Sequence, residues 1–165
     1  MDSTIQKLID LNLDLELVGL IQSSYNEGYY CTPKGAEILG WAGVDGIHYC
    51  QIPGFGETVF VVDPTEFDSP VHPIARNTTD LLRLLLACGD MAAPAQAHAF
   101  PTEQRFKEFI TECRPDNEKQ EVFRKIERSF DIKPMPLPYK YLSELQAGFD
   151  LDSIPYTDEY YETIG

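Results

Sequence analysis

The chain has 165 residues and a mass of 18.7 kDa, a single domain at the usual scale of roughly 150 residues each. Apolar residues make up 43% and charged residues 24%, which excludes a disordered polypeptide and permits a core without disulfides. Net charge is −14, with 13 acids and 4 bases up to residue 100 and 14 acids and 9 bases after it; no basic stripe exists to follow nucleic acid or anionic lipid, and the acidity either only keeps the chain in solution or favours a basic protein partner.

No apolar run approaches the ~20 residues of a membrane helix. Met1-Asp2-Ser3-Thr4 has neither the basic nor the apolar region of a secretory signal, so a cytoplasmic protein is expected. Residues 2–11 predict a short helix, with Ile5, Leu8 and Ile9 at helical spacing after Ser3 and Thr4. Leu11, Leu13, Leu15 and Leu17 alternate with polar residues, a strand pattern in a good helix former, so that stretch stays open. Gly28–Thr32 reads as a strand ended by Pro33.

The clearest β signal is the pair 46–52 and 57–63 around Pro53-Gly54-Phe55-Gly56. A four-residue turn would pair Ile52 with Glu57, Cys50 with Val59 and His48 with Val61. Val59–Val62 is apolar on both faces, so this strand should be central and covered on both sides. Residues 64–76 form an irregular connection with a short extended piece at 71–75. A buried helix follows over 78–88, capped by Asn77 or Thr78 and closed by Gly89. The fold class is therefore α+β: an antiparallel sheet against a buried helix.

The C-terminal third is helical. Phe106, Phe109, Ile110 and Cys113 mark one helix after Thr102; Val122, Phe123, Ile126 and Phe130 mark another after Asp116 or Asn117, with Pro115 between them. A proline-rich spacer at 133–138 leads to a short helix at 139–146. The last 25 residues carry six acids, four tyrosines and no Lys or Arg, a loosely docked arm or a disordered one. The domain divides into an α+β core (1–100), a helical extension (101–146) and an acidic, tyrosine-rich tail (147–165).

Cys31, Cys50, Cys88 and Cys113 have no zinc-ligand spacing, and Cys50 and Cys88 sit in apolar segments as buried hydrophobes. His48 has Asp45 nearby and His72 has Asp68, the raw material of general base catalysis, but neither they nor His98 accompany a nucleophile signature. No three-ligand set stands at readable spacing, so neither a metal nor a cofactor is expected. Residues 35–56 are glycine-rich, but their G-x-G, Gly54-Phe55-Gly56, links two strands and reads as a hairpin turn, not a phosphate loop. Trp41, in Gly-Trp-Ala-Gly, is either a core residue or an exposed aromatic anchor.

Residues 45–88 run strand, tight turn, strand, proline-bearing stretch and then Pro73-Ile74-Ala75-Arg76-Asn77-Thr78-Thr79-Asp80-Leu81-Leu82. This order resembles the closing part of the SUKH superfamily, whose sheet ends in an apolar strand running into a buried helix. The resemblance implies an α+β fold without an active site. Bacterial members are mostly immunity proteins that neutralise a toxin domain, often a nuclease; fungal ones are signalling adaptors. The expectation is a protein-binding module for a basic partner, with Asp45, Glu57, Asp63, Glu66 and Asp68 framing an acidic patch and Trp41 or Phe55 as anchor. The competing expectation is a small-molecule-binding protein or an enzyme, with a pocket around His48, Tyr49 and His72.

Overall fold

The computed structural model describes residues 2–24, 26–113 and 116–165. Pro115, expected to separate two helices, lies outside them. Four strands form an antiparallel meander in chain order: β1 (Glu37–Trp41), β2 (His48–Gln51), β3 (Val59–Val62) and β4 (Val71–Ala75). All four residues of β3 are buried, as its two apolar faces require. The α+β class is therefore correct.

Three strand expectations change. Pairing runs Gln51 to Val59, Cys50 to Phe60, Tyr49 to Val61 and His48 to Val62, one residue away from the four-residue-turn register. The connection spans residues 52–58, with Gly54 at φ +93° and Gly56 at φ +61°, and the extra residues move the register. Gly28–Thr32 is a turn and not a strand: the Thr32 hydroxyl accepts from the Tyr29 amide at 2.8 Å, and the Thr32 amide donates to the Tyr29 carbonyl at 3.0 Å. The first strand lies later, at β1. It contains Gly40, where a side chain would stand 3.0 Å from both Leu20 Cδ1 and Gln22 Nε2, so the backbones approach only because the residue is glycine. Ile21 bridges Trp41 there.

Cross-strand partners share a face, and alternate residues take opposite faces. Tyr49, Val59, Val61 and Ile74 form the face packed under the helices. Cys50, Phe60, Val62 and Val71 form the other.

Helix α1 (Ser3–Asp10) starts one residue earlier than its Ser3/Thr4 signal. Asp2 is the cap: Oδ1 accepts from the Thr4 and Ile5 amides and from the Thr78 hydroxyl at 2.8 Å, tying this helix to the next one. The open stretch after it becomes a 3-10 turn at Leu15–Val18. Helix α2 (Thr78–Cys88) has the expected ends. Asn77 accepts from the Asp80 amide at 2.7 Å, and Gly89 takes φ +87°. Leu81, Leu82, Leu84 and Leu85 are fully buried. Short α3 (Ala92–Ala95) and a 3-10 turn at Ala97–Ala99 lead to α4 (Glu103–Glu112), α5 (Asn117–Phe130) and α6 (Pro138–Ala147), whose Phe106, Phe123, Ile126 and Leu142 join the same core.

The tail is ordered. It forms a 3-10 turn at Leu151–Ser153 and α7 (Asp158–Ile164), and buries Ile154 and Tyr160 against the second sheet face. The Lys34 amide donates to the Pro155 carbonyl at 2.7 Å, and Tyr30 stacks on Tyr160. The arm thus covers the sheet face that would otherwise be bare.

Replacing Leu82 with alanine should cost about 2–5 kcal/mol in urea unfolding, and Ile154→Ala should fall in the same range. A loosely attached tail would give Ile154→Ala the roughly 0.5 kcal/mol or less of a surface change.

Candidate functional site

The predicted acidic patch divides between the two ends of the sheet. Trp41, Asp45, Asp63, Glu66 and Asp68 lie at the end formed by the β1–β2 and β3–β4 loops. Phe55 and Glu57 lie in the β2–β3 connection at the other end, separated by strands of four to five residues, roughly 13–16 Å. Phe55 packs edge-on to Phe60 and tilts against Phe149, so it closes the second core. Trp41 is half-buried, 4.7 Å from the His48 ring, with its Nε1 donating to Asn26 at 3.0 Å. Asp45 and Glu57 are exposed in turns.

The β3–β4 loop gathers the rest. The Asp63 amide donates to the Pro70 carbonyl at 2.8 Å, closing the loop at its base. Asp63 Oδ1 accepts from the Thr65 amide and hydroxyl at 2.9 and 2.7 Å, so this acid holds the turn. Glu66 accepts from His98 Nε2 at 2.8 Å and lies 3.6 Å from His72 Nε2. Asp68 is exposed and borders a cleft of about 400 Å³ lined by Leu151, Asp152, Tyr156, Tyr161 and Ile164. Between the last two acids stands Phe67, 65% exposed. Sequence reading passed over Phe67, although an aromatic between two acids in a proline-bounded loop is a usable signal.

His48 and His72 share no pocket. His48 pairs with Val62 and His72 with Val61, so the two rings stand on opposite sheet faces. His48 is fully buried. A carbonyl can only accept, so its Nδ1 carries the proton toward Gly46 O at 2.8 Å, and Nε2 accepts from the Thr32 hydroxyl at 2.9 Å. This is a satisfied core histidine. Burial lowers its pKa below 6.5, opposed by the Gly46 carbonyl. His72 is lowered by burial and then by His98, with Glu66 opposing. The thiols of Cys50 and Cys88 are pushed up to about 12 by burial, which makes them inert.

The arrangement that spacing did not reveal is Glu66, His72 and His98. One donor atom from each lies within 4.8 Å of the others, and the two rings stack with centroids 3.7 Å apart. The histidines are 26 residues apart in the chain, so only tertiary packing brings them together. Compared with known proteins, the chain matches no family model, no curated protein and no solved structure.

A depressed imidazole pKa means the unfolded chain takes up the proton first. Stability is therefore complete above pH 6.5 and falls as pH drops below it. Taking the protein from about pH 7.5 to about pH 5.5 should lower its urea midpoint, and His48→Gln should shrink that drop. An equal drop in the variant would remove His48 as a source.

Proposed function

We propose that the chain is an immunity-like protein-binding module that holds a basic partner through the β3–β4 loop and the adjoining C-terminal segment. The observation that carries this reading is Phe67: a large aromatic, 65% exposed, flanked by Glu66 and Asp68 and directly preceding Asp68 and Ser69, which line the cleft with Asp152, Tyr161 and Ile164. An aromatic anchor ringed by charge is the usual anatomy of a binding hot spot. Leu151, Tyr161 and Ile164 are also exposed, and α7 turns Asp158, Glu159 and Glu162 to the outside.

A net charge of −14 steers a basic partner, and a nuclease toxin domain is basic because it holds nucleic acid. This agrees with the SUKH resemblance, in which the relatives act by binding and not by catalysis. A cytoplasmic place suits four unpaired cysteines. Among the described residues no helix is long and apolar enough to cross a membrane.

The partner is obtained by capture from the native host, and its association is followed by stopped flow. Phe67→Ala should weaken binding by about 30-fold, the scale of a hot-spot side chain. Asp68→Lys should slow association, and added salt should slow the wild type steeply, because steering is screened beyond roughly 8 Å at physiological ionic strength. Glu57→Lys, at the far end of the sheet, should change neither. Rates indifferent to salt and to both loop variants would refute the reading.

A further inference from the structure

We propose that Glu66, His72 and His98 form a binding site for a divalent first-row transition ion such as zinc. Two imidazoles and one carboxylate are a donor set that such ions take, whereas magnesium and calcium prefer all-oxygen sites. The three residues come from different elements: Glu66 from the β3–β4 loop, His72 from β4, and His98 from the 3-10 turn at Ala97–Ala99. Nothing local in the chain requires them to meet, yet their donor atoms lie within 4.8 Å of one another.

The metal-free hydrogen bonding is incomplete, and this separates the cluster from His48. His72 Nε2 donates to the Ser69 carbonyl at 2.8 Å, and His98 Nε2 donates to Glu66 at 2.8 and 2.9 Å. Both protons therefore sit on the ring edges that face the loop. His98 Nδ1 is buried with no hydrogen-bond partner among the described residues, so a lone pair or an N–H is stranded in either protonation state. His98 is thus held by hydrogen bonds at one ring edge only, unlike His48, which is held at both, so His98 is the ring with freedom to turn.

The present geometry is close to ligation and one rotation away from it. The rings lie 10° from parallel, so their in-plane lone pairs do not yet converge. His98 is the less buried of the two and sits on a single 3-10 turn, so it is the ring that turns out of the stack while its Nε2 stays beside Glu66. On coordination Nε2 of each ring gives its lone pair to the ion, and its proton passes through water to Nδ1 of the same ring. The turn of His98 out of the stack also has to bring that Nδ1–H, which has no acceptor among the described residues in its present position, to water or a carbonyl. Glu66 supplies an oxygen and the counter-charge. The remaining position is left for water, because Glu66 is about one-third exposed.

The site does not depend on the partner-binding reading, and it is tested without a partner. Zinc chloride is titrated into the full chain by calorimetry, and cobalt(II) is titrated while its visible absorption is followed. The expected result is one ion per chain, tetrahedral cobalt bands, and a loss of affinity of about tenfold or more in both His98→Ala and Glu66→Gln. His98→Gln provides a second histidine variant that keeps the bulk of the ring, and thermal melts confirm that each variant is folded. Glu57→Gln and an excess of magnesium should leave zinc binding unchanged. Zinc affinity that stays within about threefold of wild type in the His98 and Glu66 variants, or that magnesium abolishes, would overturn the site and assign the binding to diffuse surface acidity.

Discussion

Strand β3 sets the terms for the rest of the molecule. Val59, Phe60, Val61 and Val62 are all buried, so the strand has no side that can face water. An antiparallel sheet usually solvates one face, and this one has to be covered on both. The helices supply the first cover: Leu81, Leu82, Leu84 and Leu85 of α2 reach Val59 and Val61 within one core. The second cover cannot come from the same layer. It comes from the far end of the chain, where Ile154, Tyr156 and Tyr160 close over Phe60, Val62 and Val71.

That second cover explains how a tail with five acids can dock on an acidic protein. Among the described residues its contacts are aromatic and main-chain, not ionic. Tyr156 stacks on Tyr160 at 3.8 Å, Tyr160 on Tyr30, and Phe149 packs on Phe60. The Thr157 hydroxyl donates to the Tyr30 carbonyl at 3.3 Å. The acids stand outside, and Asp158 and Glu159 occupy the first turn of α7, where the helix dipole favours negative charge. Burial raises the pKa of Tyr156 and Tyr160, so neither adds a charge to this interface near neutrality. Reading charge alone made the tail look detached; its apolar positions 149, 154, 156 and 160 are what attach it.

The elements legible in the sequence were those whose ends and faces carry their own signals. Helix α2 has Asn77, Asp80 and Gly89 at its boundaries and leucine on nearly every side. Strand β3 has four apolar residues between a glycine turn and Asp63-Pro64. Strand β1 was hidden because Gly40 interrupts it, and the reason for that glycine is the approach of Leu20 and Gln22 from a distant part of the chain. The hairpin register was missed because two glycines in one connection allow several loop lengths, and local sequence does not choose between them. The site was half legible. Asp63, Glu66 and Asp68 were found together because they are close in sequence. His98 was not, since its neighbours are set by how an alanine-rich turn packs against β4.

The β3–β4 loop joins two strands, β3 and β4, that are buried along their whole length and covered by both layers. Three acids within six residues consequently meet three different surroundings. Asp63 holds the turn, Glu66 faces the histidines on the helix-covered side, and Asp68 faces the cleft beside the C-terminal segment. Phe67 stands between the last two. Its loop is closed at the base by the Asp63–Pro70 backbone bond and braced by Tyr30, whose hydroxyl donates to the Pro64 carbonyl at 3.1 Å. Ordering a mobile side chain on binding costs about 0.5–1.5 kcal/mol, and ordering a mobile loop costs more. A loop pinned on both sides has met most of that cost in folding. The backbone beneath the exposed Phe67 is set by these two anchors, so the constraint that builds the core also presents the surface.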